Sequence, residues 1–256
     1  MKNKFFLLGW VLCALVLMPA NLLAGDYSNL QFIGFSRDGK YLAFEEYGTG
    51  DASGYPFASV YFVDTQKNAF VGKPFSLKIE KDGATEAAAV KRVEALAARK
   101  MRQLKIERGN TGKLVVAHLL TDWTYEDSFV RSEGKQEKVK LNDYMNPNSP
   151  NQYEYYELTL NSIPTNSKSC EQYDNTYYSL ELTLDHFMKG EKDVKTEVLQ
   201  KDAALPAGRG CPYGYRIESV YSYQGKIAVF LNVFSQGWEG PDMRYMVVTG
   251  NWQRYF

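Results

Sequence analysis

Few residues in this 256-residue chain have the types and spacing that chemistry requires. Its two histidines, His118 and His186, fall in neither an HExxH nor a comparable ligand pattern, so they nominate no metal site. The chain has no GxSxG elbow, no Walker loop and no GxGxxG fingerprint, the usual marks of serine hydrolases, nucleotide hydrolases and dinucleotide enzymes. Glu45 and Glu46 are adjacent. On a strand such neighbours point to opposite faces, so the two cannot share acid/base work. A glycoside hydrolase would have to draw two carboxylates together from distant segments. No catalytic residue, metal ligand or cofactor site is therefore nominated. The densest polar–aromatic group is Trp238, Glu239, Asp242 and Arg244, in a run that also carries Gly237 and Gly240. It is the candidate binding site, with a turn fixed by an Asp/Arg pair as the structural alternative.

Cysteine chemistry is equally restricted. Cys13 lies in an apolar leader, which leaves Cys170 and Cys211. They are not in a CxxC arrangement, and one pair without nearby histidines makes a poor zinc site. In an oxidising compartment an even pair forms a disulfide, here closing a loop of about 41 residues.

The leader sets that compartment. Lys2 and Lys4 precede the apolar run Phe5–Met18, and Pro19–Ala24 forms a short exit ending in a small residue. This is the pattern of a secretory signal peptide, with cleavage expected after Ala24. Pro19 and Asn21 interrupt the run before the roughly 20 residues that a bilayer span needs, so no stable membrane span is expected after cleavage. The tally of 30 basic and 30 acidic residues loses Lys2 and Lys4, leaving a net charge of −2. Such a balance provides no concentrated basic surface for nucleic acid. Residues 25–256 fit a single domain large enough for its own core.

Strands dominate what remains. Aromatic and β-branched segments alternate with turns at Gln31–Phe35, Lys40–Glu45, Ser59–Asp64, Lys113–Leu119, Tyr153–Leu160, Tyr177–Leu184, Tyr215–Tyr221, Ile227–Val233 and Arg244–Thr249. One stretch differs. From about Thr85 to Leu104 there is no Gly or Pro, and Val90, Val93, Ala97, Met101 and Leu104 make an apolar stripe at helical spacing. Asp82 or Thr85 could cap it. Its other face is basic, which suits either an anionic lipid surface or solvent. The small, Ala-rich stripe favours a helix packed on a sheet.

Asp38-Gly39 between apolar runs marks a tight hairpin, and Ser59–Asp64 follows as another strand. Residues 35–64 resemble one blade of a TolB-type β-propeller, with Arg37 where that family usually has Pro. A shift of 186 residues matches Ser36 with Ser222, Gly39 with Gly225, Lys40 with Lys226, Phe44 with Phe230 and Gly54 with Gly240. Five identities in 19 positions exceed the roughly one expected from composition. Over most of its length the chain resembles a family of predicted secreted bacterial proteins known only as a domain of unknown function. Gly34–Phe44, Gly54-Tyr55-Pro56, Arg209–Tyr215 and Gly237–Arg244 carry that resemblance. It implies export and supplies no activity.

The expected fold is mostly β with one amphipathic helix over about 85–104, propeller-related or built from two sheets. The expected role is a periplasmic or secreted binding or interaction module, its partner an unidentified envelope protein or glycan. An envelope hydrolase acting on glycans is the alternative. An outer-membrane β-barrel is weaker: the aromatic C-terminus suits one, but Gly250 and Arg254 would share the lipid-facing side with Trp252 and Phe256.

Overall fold

The computed structural model describes residues 25–118, 136–141, 154–167, 170–171, 176–188, 194–237 and 241–252. The leader, with its expected cleavage point at Ala24, lies outside them. The described residues are mostly strand, with one α-helix and three antiparallel sheets. All nine expected strands are present in whole or part.

The first sheet contains β1 (Asn29–Phe35), β2 (Tyr41–Thr49) and β3 (Pro56–Asp64), with β4 (Ala69–Phe70) and β5 (Phe75–Lys78) sharing the far edge of β3. Helix α1 (Glu86–Gln103) lies on one face of it. Thr85 is the cap, its Oγ1 accepting from the Ala88 amide at 3.2 Å. Glu86 in the first turn and Lys100 and Arg102 in the last complement the helix dipole. Val93 and Ala97 are buried against Ala43, Ala58, Val60 and Phe62. The stripe therefore belongs to the core, and the basic face is left to solvent.

Strand β6 (Lys113–Ala117) leads into the remaining two sheets. The second sheet has the order β10-β9-β8-β7, from β7 (Gln136–Leu141), β8 (Glu154–Thr165), β9 (Tyr177–Met188) and β10 (Lys195–Lys201). The third has the order β13-β12-β11-β6, from β11 (Pro212–Tyr223), β12 (Lys226–Gln236) and β13 (Pro241–Asn251). Layers succeed one another as helix, first sheet, third sheet, second sheet. Strand β12 lies in the middle, which explains why Ile227–Phe234 is buried without a break. Ile227, Val229, Leu231 and Val233 face the second sheet, while Ala228 and Phe230 face the first. None of the three sheets closes on itself, and among the described residues no helix is long and apolar enough to cross a membrane.

The faint sequence repeat is a structural one. Strands β1-β2-β3 and β11-β12-β13 are both three-stranded meanders. Tyr41 pairs with Asp64 and Phe35 with Leu42; 186 residues later Ile227 pairs with Gly250 and Tyr221 with Ala228, in the same register. Two differences lie in β11: the bulge is displaced by a single residue, and a second irregularity falls between Pro212 and Gly214, before the part that matches β1. The two turns also abut. Gly39 and Gly225 have φ of 67° and 69°, values that glycine adopts without strain. Tyr223 donates its hydroxyl to the Arg37 carbonyl at 3.1 Å, and the matched Phe44 and Phe230 rings meet edge to face at 5.5 Å. Gly240, the last residue of the repeat alignment, lies outside the described residues.

Asn68, at the turn between β3 and β4, joins all three sheets. Its amide nitrogen donates to the Leu199 carbonyl and to Gln200 Oε1 on β10, and its oxygen accepts from the Thr249 amide on β13 at 2.8 Å.

Candidate functional site

The pleat of β2 separates the two adjacent glutamates. Glu45 shares the face of Ala43 beneath α1 and is completely buried. Both its carboxyl oxygens are without a hydrogen-bond partner among the described residues. Burial, helped by the charge of Glu94, pushes its pKa up to about 7, with Arg108 opposing. Arg108 is itself bound to Glu94 at 2.6 Å. A carboxyl whose folded pKa is raised disfavours the folded state once it must ionise. Stability should thus fall as pH rises from about 4.5 to 7 and level off above. Glu45→Gln should remove that decline, leaving the variant about 1–3 kcal/mol more stable than the parent at pH 8, with little difference below pH 4.5. Urea midpoints across this range would read the effect.

Glu46 points the other way, into a groove of about 630 Å³ beneath the outer edge of β13. Tyr61 donates its hydroxyl to Glu46 Oε2 at 2.9 Å, and the Tyr245 amide donates to Oε1. Burial raises the Glu46 pKa, while the Tyr245 amide, Tyr61 and the charge of Arg244 pull it back. Burial also raises the phenol of Tyr61, with Glu46 adding to the shift. Tyr61, Tyr245 and the half-exposed Phe70 supply ring faces and edges, and Asn68 and Gln200 add amides.

Arg244 reaches the same groove. Its guanidinium stacks over Phe57 at 4.5 Å, donates to Ser28 Oγ at 2.6 Å and lies 3.6 Å from Asp26. Asp242 does not line the groove: its carboxylate accepts from the Asp26 amide at 2.9 Å, pinning the start of the described chain along β13. Asp26, not Asp242, is thus the ion partner of Arg244. Trp238 and Glu239 lie outside the described residues. Two of the four candidates from the sequence can therefore be placed, and Arg244 alone of these is at the site.

The opposite wall carries Pro206, Gly208 and Arg209, held by the disulfide between Cys170 and Cys211. A short 3-10 turn spans Ala207–Arg209, with Gly210 between it and the crosslinked cysteine. Arg209 is ion-paired with the buried carboxylate of Asp202 and packs over Tyr215 at 5.8 Å. Asp202 also accepts from the Leu180 amide at 3.1 Å, tying the wall to β9. The phenol of Tyr215 is pushed up to about 12, chiefly by burial, with Arg209 opposing.

The two histidines lie elsewhere. His118 Nδ1 sits 2.8 Å from the Ile217 carbonyl and 3.7 Å from Glu137, which accepts from the Ile217 amide. His186 stacks on Tyr156 at 4.3 Å beside a smaller cavity of about 290 Å³, which Lys195, Glu197 and Trp252 also line. Among the described residues no group of three or more His, Cys, Asp and Glu is arranged to hold a metal.

Comparison with known families gives one result. A family model described as a predicted secreted protein, DUF2259, matches residues 43–251. The chain belongs to that family. The match runs from within β2 to the end of β13, so it takes in the groove and the second meander and leaves β1 outside. The family's description agrees with the periplasmic or secreted location that the leader implies, and the protein is an exported one. No curated protein and no solved structure matches the chain significantly. The comparisons bring no support for the TolB-type blade.

Proposed function

We propose that this exported protein is a binding module and that the groove beside Glu46 is its ligand site. One observation carries the reading. A cleft of about 630 Å³ gathers ring faces, two arginines and a buried carboxyl from the first sheet, the third sheet and the Ala207–Arg209 turn. That size and mixture of apolar wall with a few placed polar groups are typical of small-ligand and peptide sites. Tyrosine and arginine in such a setting are the residues that most often anchor a partner.

The hydrolase alternative needs two carboxylates facing each other across the cleft. Among the described residues lining the groove, Glu46 is the single acid, and Tyr61 and Tyr245 already bond it. This supports binding over hydrolysis. The ligand on this reading is an envelope protein or a glycan.

Gly208→Trp tests the site. Gly208 lies on the rim, and a Cβ added there meets nothing within 4 Å. The indole would therefore fill the groove at little cost to the fold, within about 0.5 kcal/mol for a surface change. Immobilised protein carrying Gly208→Trp should retain at least tenfold less of the envelope component that the parent retains. Equal retention by the two would reject the groove.

A further inference from the structure

Strand β13 is the outer strand of the third sheet, and its free edge opens into the groove. Its pairing with β12 runs in unbroken register from Pro241 to Asn251, so alternate residues direct their amides and carbonyls outwards. Three of these outward amides are satisfied by groups that are not strands of the sheet. The Met243 amide donates to the Asp26 carbonyl, the Tyr245 amide to the Glu46 carboxyl and the Thr249 amide to the Asn68 side chain. Val247 stands between the last two. By the same alternation its N–H and C=O face the groove, and neither has a hydrogen-bond partner among the described residues. Val247 is itself buried, only 7% exposed. A buried backbone group without a partner is unfavourable, and an open strand edge is a template for another strand.

We propose that the groove takes an extended peptide segment, which adds to the edge of β13 by exchanging both backbone hydrogen bonds with Val247. The proposal rests on the groove being the ligand site and names its occupant. Glu46 and Asn68 cap the neighbouring amides and so limit the pairing to a short segment, because a longer strand would have to displace both side chains. Recognition by backbone with side chains seated in adjoining pockets is the general mode of strand addition. Charge selects the side chains. The charged groups lining the groove are Arg209, Arg244 and Glu46; Arg209 pairs with Asp202, Arg244 lies beside Asp26 and Glu46 is bonded by Tyr61 and Tyr245, so the lining itself carries one more positive than negative group. Acidic side chains flanking the paired residue would complement the two arginines, while apolar ones would rest on Tyr61, Phe70 and Met246.

The test uses the unmodified exported protein and three capped pentapeptides. The first alternates valine and glutamate; the second is identical but N-methylated at its central amide; the third replaces glutamate by lysine. The first should bind and shift the Val247 amide resonance in isotope-labelled protein. N-methylation removes the donor to the Val247 carbonyl and should weaken binding on the order of tenfold. The lysine peptide should bind weaker still. Failure of the first peptide to bind, or equal affinity of the first two, overturns strand addition. Retention of an envelope component that Gly208→Trp abolishes would then leave the groove as a ligand site for a different occupant, so the two failures are distinguishable.

Discussion

Phe230→Ala should destabilise the protein by about 3–5 kcal/mol, the range for removing a large ring from a packed core. Phe230 is completely buried at the centre of β12, where first and third sheets meet. Its ring lies 5.1 Å from Phe32, 5.5 Å from Phe44 and 5.8 Å from Tyr221, so truncation would leave a void bordered by aromatic edges that cannot close over it. In a chain of this size the melting temperature should fall by roughly ten degrees. Phe70→Ala provides the contrast. Phe70 is 55% exposed on the groove lip, and its loss should cost no more than about 0.5 kcal/mol. Similar losses for the two would contradict a core centred on β12.

Replacing Cys170 and Cys211 together by serine should lower stability by about 2–5 kcal/mol, as removal of a native disulfide usually does. The bond links segments 41 residues apart with Cα atoms 5.6 Å from each other. Its second effect is local. Cys211 lies two residues beyond the end of the 3-10 turn that carries Gly208 and Arg209, so the groove wall loses an anchor on one side. Ligand retention should therefore fall even at temperatures where the variant is fully folded. Denaturant melts of oxidised parent and double variant measure the first effect, and a difference below about 0.5 kcal/mol would contradict it.

Local features of the fold were legible in the sequence. Thr85 and the stripe Val93-Ala97-Met101 mark the helix because capping and periodicity act over one or two turns. Asp38-Gly39 marks the first hairpin, and Ser36 confirms it by donating to Asp38 and accepting from the Tyr41 amide. The 186-residue repeat, visible as five identities, corresponds to two meanders in matching register. Strands β7 and β10 escaped notice because they are edges. Gln136–Leu141 and Lys195–Lys201 each bury only one or two side chains and read as polar segments. The four-layer order was also hidden, since the long apolar run of β12 specifies burial on both faces without naming what covers each.

The groove was legible only at Arg244. Its other groups converge through long-range packing: Glu46 bonds a residue 199 positions away, and Asn68 one that is 181 positions away. Adjacency of Glu45 and Glu46 correctly implied opposite faces, yet nothing in composition separates a carboxyl buried under a helix from one at the base of a cleft. Asp242 resembled a site residue by proximity to Arg244, but the pleat directs it to the Asp26 amide instead.

Amide-resonance mapping with fractionated envelope extract tests the binding groove most directly. A fraction containing the ligand should shift Tyr245 and Val247 on β13 together with Gly208 on the opposite wall, two stretches of chain that meet at the groove. The same fraction should leave the Tyr245 and Val247 resonances unmoved in protein carrying Gly208→Trp. Shifts confined to the cavity around His186, Lys195 and Glu197, or identical groove shifts in both proteins, would contradict the account.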